Sequence, residues 1–323
     1  MSRPRPQKGA NRGTKERKGG RPGGQPPRVV VHKATARDWI AAARIRTLPL
    51  AVAPVALGTA AAYVATPGQA HWVRALLCLA VALCLQIGVN FANDYSDGIR
   101  GTDRHRVGPA RLTASGAARP RTVLAVALAF FVLAAAAGIV LVVLSGQYWL
   151  LAVGAACILA AWFYTGGKRP YGYFGLGEVF VFVFFGLVAT AGTTFVQVGT
   201  VTIESWLAGI AAGFLACAVL MANNLRDLEQ DALAHKRTLA VLVGSLAARI
   251  LFAVFMTLPF VILVFFVLFY ENAPLVYLTL LLAAPTILIG VTGKTPAEFL
   301  LALKLASLTA LAFGLGLAAA IAF

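Results

Sequence analysis

The feature that most restricts this chain is a succession of apolar runs, each close to long enough to cross a bilayer. Nine are read, at about 47–65, 72–96, 120–144, 147–164, 175–196, 204–224, 247–270, 273–291 and 298–320. Bilayer hydrocarbon is about 30 Å thick and takes about 20 helical residues to span. Backbone amides cannot stay unpaired in lipid, so these runs predict helices and not open strands. That holds even at residues 179–185, whose β-branched and aromatic content would suit a strand in water. With 59% hydrophobic and 12% charged residues, a water-soluble domain is excluded.

Charge orients the bundle. There are 28 Lys and Arg against 12 Asp and Glu, a net charge of +16. Such an excess suits nucleic acid or a membrane surface, and its placement decides for the membrane. Of the 28, all but Arg74 fall on one side of the nine spans. The positive-inside rule then puts the N-terminus and the loops after even-numbered spans in the cytosol, and the C-terminus outside. The expectation is an all-α, polytopic helical bundle of about nine transmembrane helices in the cell membrane. Its central cavity opens to the cytosol, its surroundings are the lipid bilayer, and nucleic acid is not a partner.

Residues 1–34 carry Arg, Lys, Gly and Pro with almost nothing apolar before Val29, and read as a disordered basic cytosolic tail. They lack the apolar stretch that follows the basic part of a signal peptide. Residues 35–323 form the transmembrane domain. Thr35 and Asp38 have capping-box spacing and open a short interfacial helix reaching Arg46, with Trp39 and Ile40 inward. The four cysteines all lie in apolar runs without metal or disulfide spacing, and read as small buried hydrophobes.

Two stretches carry the chemistry. In residues 86–106, Gln86, Asn90 and Asp94 step by four and Asp97 follows by three, which places them on one helix face. In residues 223–237, Asn223, Asp227 and Asp231 again step by four, with Lys236 and Arg237 behind them. Carboxylates at the end of a membrane-embedded helix are expensive unless paired, metal-bound or facing water. Magnesium takes oxygen ligands, usually one or two carboxylates together with substrate phosphates. Asp94, Asp97, Asp227 and Asp231 are therefore candidate metal ligands and catalytic residues. Asn90 and Asn223, one turn deeper, add amide oxygens or orient the carboxylates. Arg104, Arg106, Arg111, Lys168, Lys236 and Arg237 are candidates to meet phosphate oxygens. The pattern reads as a magnesium–diphosphate site with an apolar bundle behind it for a hydrocarbon tail. A cation channel or transporter is the competing class. It too places acids in a bundle, but usually at the midplane between broken helices. Here they stand at helix ends, and the mid-span regions hold no ionisable residue.

A third stretch, residues 164–178, combines glycines that permit close backbone approach with Lys168, Arg169, Tyr164, Tyr171 and Tyr173. Lys168 and Arg169 suit phosphate, and tyrosine ring faces can stabilise a carbocation. An aromatic interface belt is the plainer reading of the tyrosines. Arg46, before the first span, is either a positive-inside anchor or a substrate contact.

The spacing Asn90-x3-Asp94-x2-Asp97 with Asp227-x3-Asp231 resembles the two Asp-rich motifs of the UbiA superfamily of intramembrane prenyltransferases. The menaquinone branch is the nearer likeness, through residues 93–112, 169–177, 223–239 and Arg44-Ile-Arg46-Thr-Leu-Pro49. The superfamily's third acid of the first motif is often four after the second. Here that position is Gly101 and the acid is Asp103. The resemblance implies a magnesium-dependent membrane enzyme. It would transfer a polyprenyl group from a polyprenyl diphosphate to 1,4-dihydroxy-2-naphthoate with loss of carbon dioxide, giving demethylmenaquinone. A relative using another aromatic acceptor, such as 4-hydroxybenzoate, is the runner-up. Arg46 and Arg169 are the candidates for the acceptor's carboxylate.

Overall fold

Thr35 caps the first helix as its spacing predicts. In the computed structural model, which describes residues 33–67, 71–102 and 111–323, the Asp38 amide donates to Thr35 Oγ1 and the Thr35 amide to Asp38 Oδ2. This helix, α1 (Ala36–Ala42), is shorter than expected. Arg44 takes a left-handed backbone conformation at φ 56° and ends it before Arg46. Trp39 packs on Phe91, ring centroids 5.9 Å apart, but Ile40 faces outward, 55% exposed. Residues 1–32 of the basic tail, Asp103, Arg104 and Arg106 lie outside the described residues.

The spans follow in order: α2 (Pro49–Ala65), α3 (Trp72–Arg100), α4 (Pro120–Ser145) and α5 (Leu150–Phe163). The next is continuous from Gly177 to Val198 but changes pitch, as α6 (Gly177–Val181), a π-helical turn (Phe182–Val188) and α7 (Ala189–Val198). Then come α8 (Ile203–Arg226), the short α9 (Leu228–Leu233), α10 (Leu239–Phe269), a 3-10 turn leading into α11 (Leu280–Thr292), and α12 (Pro296–Ala322). Gly244, at φ 81° and ψ 165°, breaks α10 near its start.

The count of about nine is approximate. Among the described residues seven helices are long and apolar enough to cross a membrane. An eighth crosses if α1 with its 3-10 turn and α2, bent by 45°, form one span. The ninth, expected at 147–164, is α5 with 14 residues. At 1.5 Å per residue it reaches about 21 Å, less than the hydrocarbon thickness.

Small residues set the packing. α8 runs through the centre against α2, α10 and α12. Most of its buried positions are Ala, Gly or Cys, which let backbones approach closely as they do between membrane helices. Gly186, in the π-helical turn, makes one such close approach to α8. A Cβ added there would lie 2.6 Å from the Gly209 carbonyl and from Gly213 Cα, so backbone meets backbone. Larger side chains, among them Phe252, Met256, Leu263, Phe266 and Phe313, fill the core behind α8.

Arg74, the one basic residue assigned to the far side, is used by the fold. Its guanidinium donates to the carbonyls of Leu144 at the end of α4, and Val196 and Gln197 at the end of α7, at 2.7, 3.0 and 3.2 Å. Helix ends leave such carbonyls without intrahelical partners.

Candidate active site

The sequence ends α3 at Gly101, which takes φ 76° and caps the helix. Asp94 and Asp97 therefore occupy its last two turns, 1% exposed each. Deeper on the same face, Gln86 Nε2 donates to Thr47 Oγ1 at 3.1 Å and Asn90 Nδ2 to the Ala43 carbonyl at 3.0 Å. These two tie the segment carrying Arg44 and Arg46 onto α3. Arg46 is half-buried, and its carbonyl accepts from Ser307 Oγ at 2.6 Å.

Asp94 organises the chain that follows α3. Its two oxygens accept from the Leu112 and Thr113 amides at 2.9 and 2.8 Å. This fixes the turn that carries Arg111 inward, 8% exposed, with Nη2 4.0 Å from Asp97 Oδ2. Asp97 also accepts from the Tyr173 hydroxyl at 2.8 Å. Burial and the Asp97 charge push the Tyr173 phenol up to about 12, so it stays a neutral donor.

The second motif is built on a break. α8 stops at Asp227, and α9 resumes one residue later. The Asp231 amide still donates to the Asp227 carbonyl at 2.8 Å, so the four-residue step survives the change of helix. Arg226 grips Asp227 with Nε at 2.8 Å and Nη2 at 2.5 Å, and Nη2 also donates to Asn223 Oδ1 at 2.8 Å. Lys236 joins the two motifs. Its Nζ is 3.5 Å from Asp231 Oδ1 and 3.9 Å from Asp97 Oδ2, and it lies 5.4 Å from the centre of the Tyr173 ring.

The third stretch closes the same end of the bundle. Arg100 reaches the carbonyls of Thr165 and Gly167, and Thr165 Oγ1 donates to Asn93 Oδ1 at 2.6 Å. The Arg237 amide donates to the Tyr173 carbonyl. Tyr164 meets Tyr171 edge to face at 5.5 Å. Tyr171 is held by its hydroxyl on the Ala160 carbonyl and by stacking on Phe180 at 3.9 Å. Lys168, Arg169 and the Arg237 side chain are exposed at this end.

So the structure brings Asp97, Asp231, Arg111, Lys236 and Tyr173 together; Asp94 holds the turn beside Arg111, and Asp227 and Asn223 pair with Arg226 at the end of α8. Sequence reasoning left Arg226, Arg100 and Asn93 out of the site. Arg226 stands three after Asn223 and one before Asp227, a spacing that permits both contacts. Arg100 and Asn93 act on a loop more than sixty residues away, and nothing local signals that.

Among the described residues no three His, Cys, Asp or Glu side chains gather around one metal-sized point. The donor set still suits a hard cation bound partly by its substrate. Asp97 and Asp231 come from different helices to one positive charge, and magnesium commonly takes one or two carboxylates and completes its shell with phosphate and water.

A bundle of membrane helices with acids and bases paired at one end defines a polytopic membrane protein with a charged head-group site. The sequence matches the UbiA prenyltransferase family over residues 51–308, and the chain belongs to that family. It is 55% identical over 219 residues to a 1,4-dihydroxy-2-naphthoate octaprenyltransferase of Mycobacterium tuberculosis, covering 68% of this chain and 74% of that one. A protein of the same name from Escherichia coli is 39% identical over 219 residues, covering 65% and 70%. Among solved structures, a UbiA homolog from Archaeoglobus fulgidus bound to DMAPP and Mg2+ superposes with a TM-score of 0.57. Its sequence is 16% identical, and the match covers 87% of this chain and 99% of that one. That likeness is one of fold.

Proposed function

We propose that this protein transfers a polyprenyl group from an allylic diphosphate to 1,4-dihydroxy-2-naphthoate, with loss of the acceptor's carboxylate as carbon dioxide. The observation that carries the reading is the convergence of Asp97 and Asp231 on Lys236, with Arg111 beside them. Acids and bases so paired can exchange partners for a metal and a diphosphate with little change of net charge. The acceptor follows from the named relatives, at 55% and 39% identity.

Magnesium, held by Asp97 and Asp231 with Asp94 and Asp227 supporting them, would neutralise charge on the leaving diphosphate. Asp94 keeps lone pairs beyond those its present donors use, so it can contribute a ligand too. The chain's own residues do the rest. Lys236 and Arg111 are buried or half-buried cations that meet diphosphate oxygens as the allylic C–O bond breaks. Such preorganised charge is worth most where charge develops. Lys168, Arg169 and Arg237 form an exposed rim that attracts the diphosphate. Tyr173 keeps Asp97 in place as a neutral hydrogen-bond donor. The ring of Tyr164 is available to the allylic cation, and Arg46 and Arg169 are the candidates for the acceptor's carboxylate. The apolar bundle takes the hydrocarbon tail. We place the site on the cytosolic face of the cell membrane, following the charge asymmetry of the loops.

The test is a transfer assay in lipid vesicles with labelled polyprenyl diphosphate and a panel of acceptors. Transfer to 1,4-dihydroxy-2-naphthoate is expected. Faster transfer to 4-hydroxybenzoate would move the chain to another branch, and ion flux without transfer would move it to another class.

A further inference from the structure

Glu178 belongs to neither acidic motif, yet it is a carboxyl group inside a membrane-spanning helix. It is the second residue of α6 and 4% exposed. Its Oε1 accepts from Asn224 Nδ2 at 2.9 Å. Its Oε2 is buried and has no hydrogen-bond partner among the described residues. A buried carboxyl oxygen without a donor is costly, and within a membrane span such a group is retained for a purpose.

The surroundings connect it to the site. Asn224 is the neighbour of Asn223 and is itself 4% exposed. Tyr164 lies within electrostatic reach of Glu178, Asp97 and Asp231, and a Cβ added at Gly177 would stand 3.7 Å from the Tyr164 hydroxyl. The turn of α6 that carries Glu178 thus packs beside Tyr164, on the aromatic side of the site. A buried carboxyl oxygen there calls for a hydrogen-bond partner, and a hydroxylated aromatic ring supplies one.

We propose that Glu178 binds the acceptor, with Oε2 taking a hydrogen bond from a ring hydroxyl. This rests on the prenyl-transfer reading above. The bond fixes the ring's orientation and, with the carboxylate ionised, raises electron density at the ring carbons. Asn224 holds the other oxygen and so sets the direction of the free one. Charge-assisted O–H···O bonds are among the stronger kind, and sites built around a substrate hydroxyl discriminate sharply against analogues lacking it.

The experiment compares wild type with Glu178→Gln in lipid vesicles. The substrates are 1,4-dihydroxy-2-naphthoate and its two mono-O-methyl ethers. Glutamine keeps an oxygen for Asn224 but turns the free position into a donor, so a purely structural role would survive. The expected result is an acceptor KM raised about 100-fold with the polyprenyl diphosphate KM within about twofold. One methyl ether should lose a similar factor on the wild type and nothing further on the variant. An unchanged acceptor KM, or losses that multiply, would overturn the proposal. If Glu178→Gln does not fold, Glu178→Asp is read in its place. A raised acceptor KM with an unchanged donor KM supports the proposal, and unchanged values for both overturn it. A wild type that prenylates no hydroxyarene would instead overturn the reading beneath it, and that is seen before any variant is made.

Discussion

Asp97, at the end of α3, and Asp231, in α9, share one lysine: Lys236 Nζ lies 3.9 Å from the first and 3.5 Å from the second. Two motifs far apart in the chain are thereby brought to one charge. Asp97→Asn and Asp231→Asn should each lower the transfer rate at least about 100-fold, as losses of electrostatic stabilisation do. Size-exclusion profiles should stay as in the wild type. Near-normal turnover in both variants would remove the pair from the mechanism.

Tyr173 should matter through its hydroxyl. Tyr173→Phe loses the 2.8 Å bond to Asp97 and should cost about tenfold in rate, consistent with a net hydrogen bond to a charged group. Its phenol, raised from 10.0 to about 12 by burial and the Asp97 charge, favours folding only while protonated. The contribution is intact below pH 10 and declines as pH rises through 10 toward about 12. Wild type should therefore lose thermal stability across that window more steeply than Tyr173→Phe. Parallel curves would contradict this.

Arg74 and Gly186 test the fold. Arg74→Met leaves three helix-end carbonyls without their donor and should cost about 2 kcal/mol, read as a lower melting temperature in detergent. Gly186→Val drives a side chain into the backbone of Gly209 and Gly213, at a cost of about 1–3 kcal/mol or more. Unchanged melting in either variant would show that these contacts do not hold the bundle.

Orientation is open to labelling. In a cysteine-free background, Ala114→Cys should react with an impermeant thiol reagent from the cytosolic face. Tyr148→Cys should react only from outside. Both side chains are exposed. The reverse pattern would invert the topology and move the site across the membrane.

Much of this was legible in the sequence, for physical reasons. Membrane helices satisfy their own backbones, so α3, α4, α8 and α12 follow the apolar runs within a few residues. The four-residue steps through Asn90 and Asp94, and through Asn223 and Asp227, placed those groups on shared faces. What depends on contact between distant segments was not legible. Asp94 holds the turn at Leu112 and Thr113, Arg226 grips Asp227 while also reaching Asn223, and Asn224 pairs with Glu178. The π-helical turn packs on the small residues of α8, a contact its own composition does not reveal. The shortness of α5 was hidden because the aromatic rings of Tyr148 and Trp149, in the turn before it, extend the run.

The central claim is a magnesium-dependent prenyl transfer that expels the acceptor's carboxylate. It is tested most directly by 1,4-dihydroxy-2-naphthoate labelled at the carboxyl carbon, supplied with polyprenyl diphosphate to the protein in lipid vesicles. Labelled carbon dioxide should appear one for one with released diphosphate, and both should stop in EDTA and return with added magnesium. A prenylated product that keeps its label, or transfer that continues unchanged in EDTA, would contradict the account.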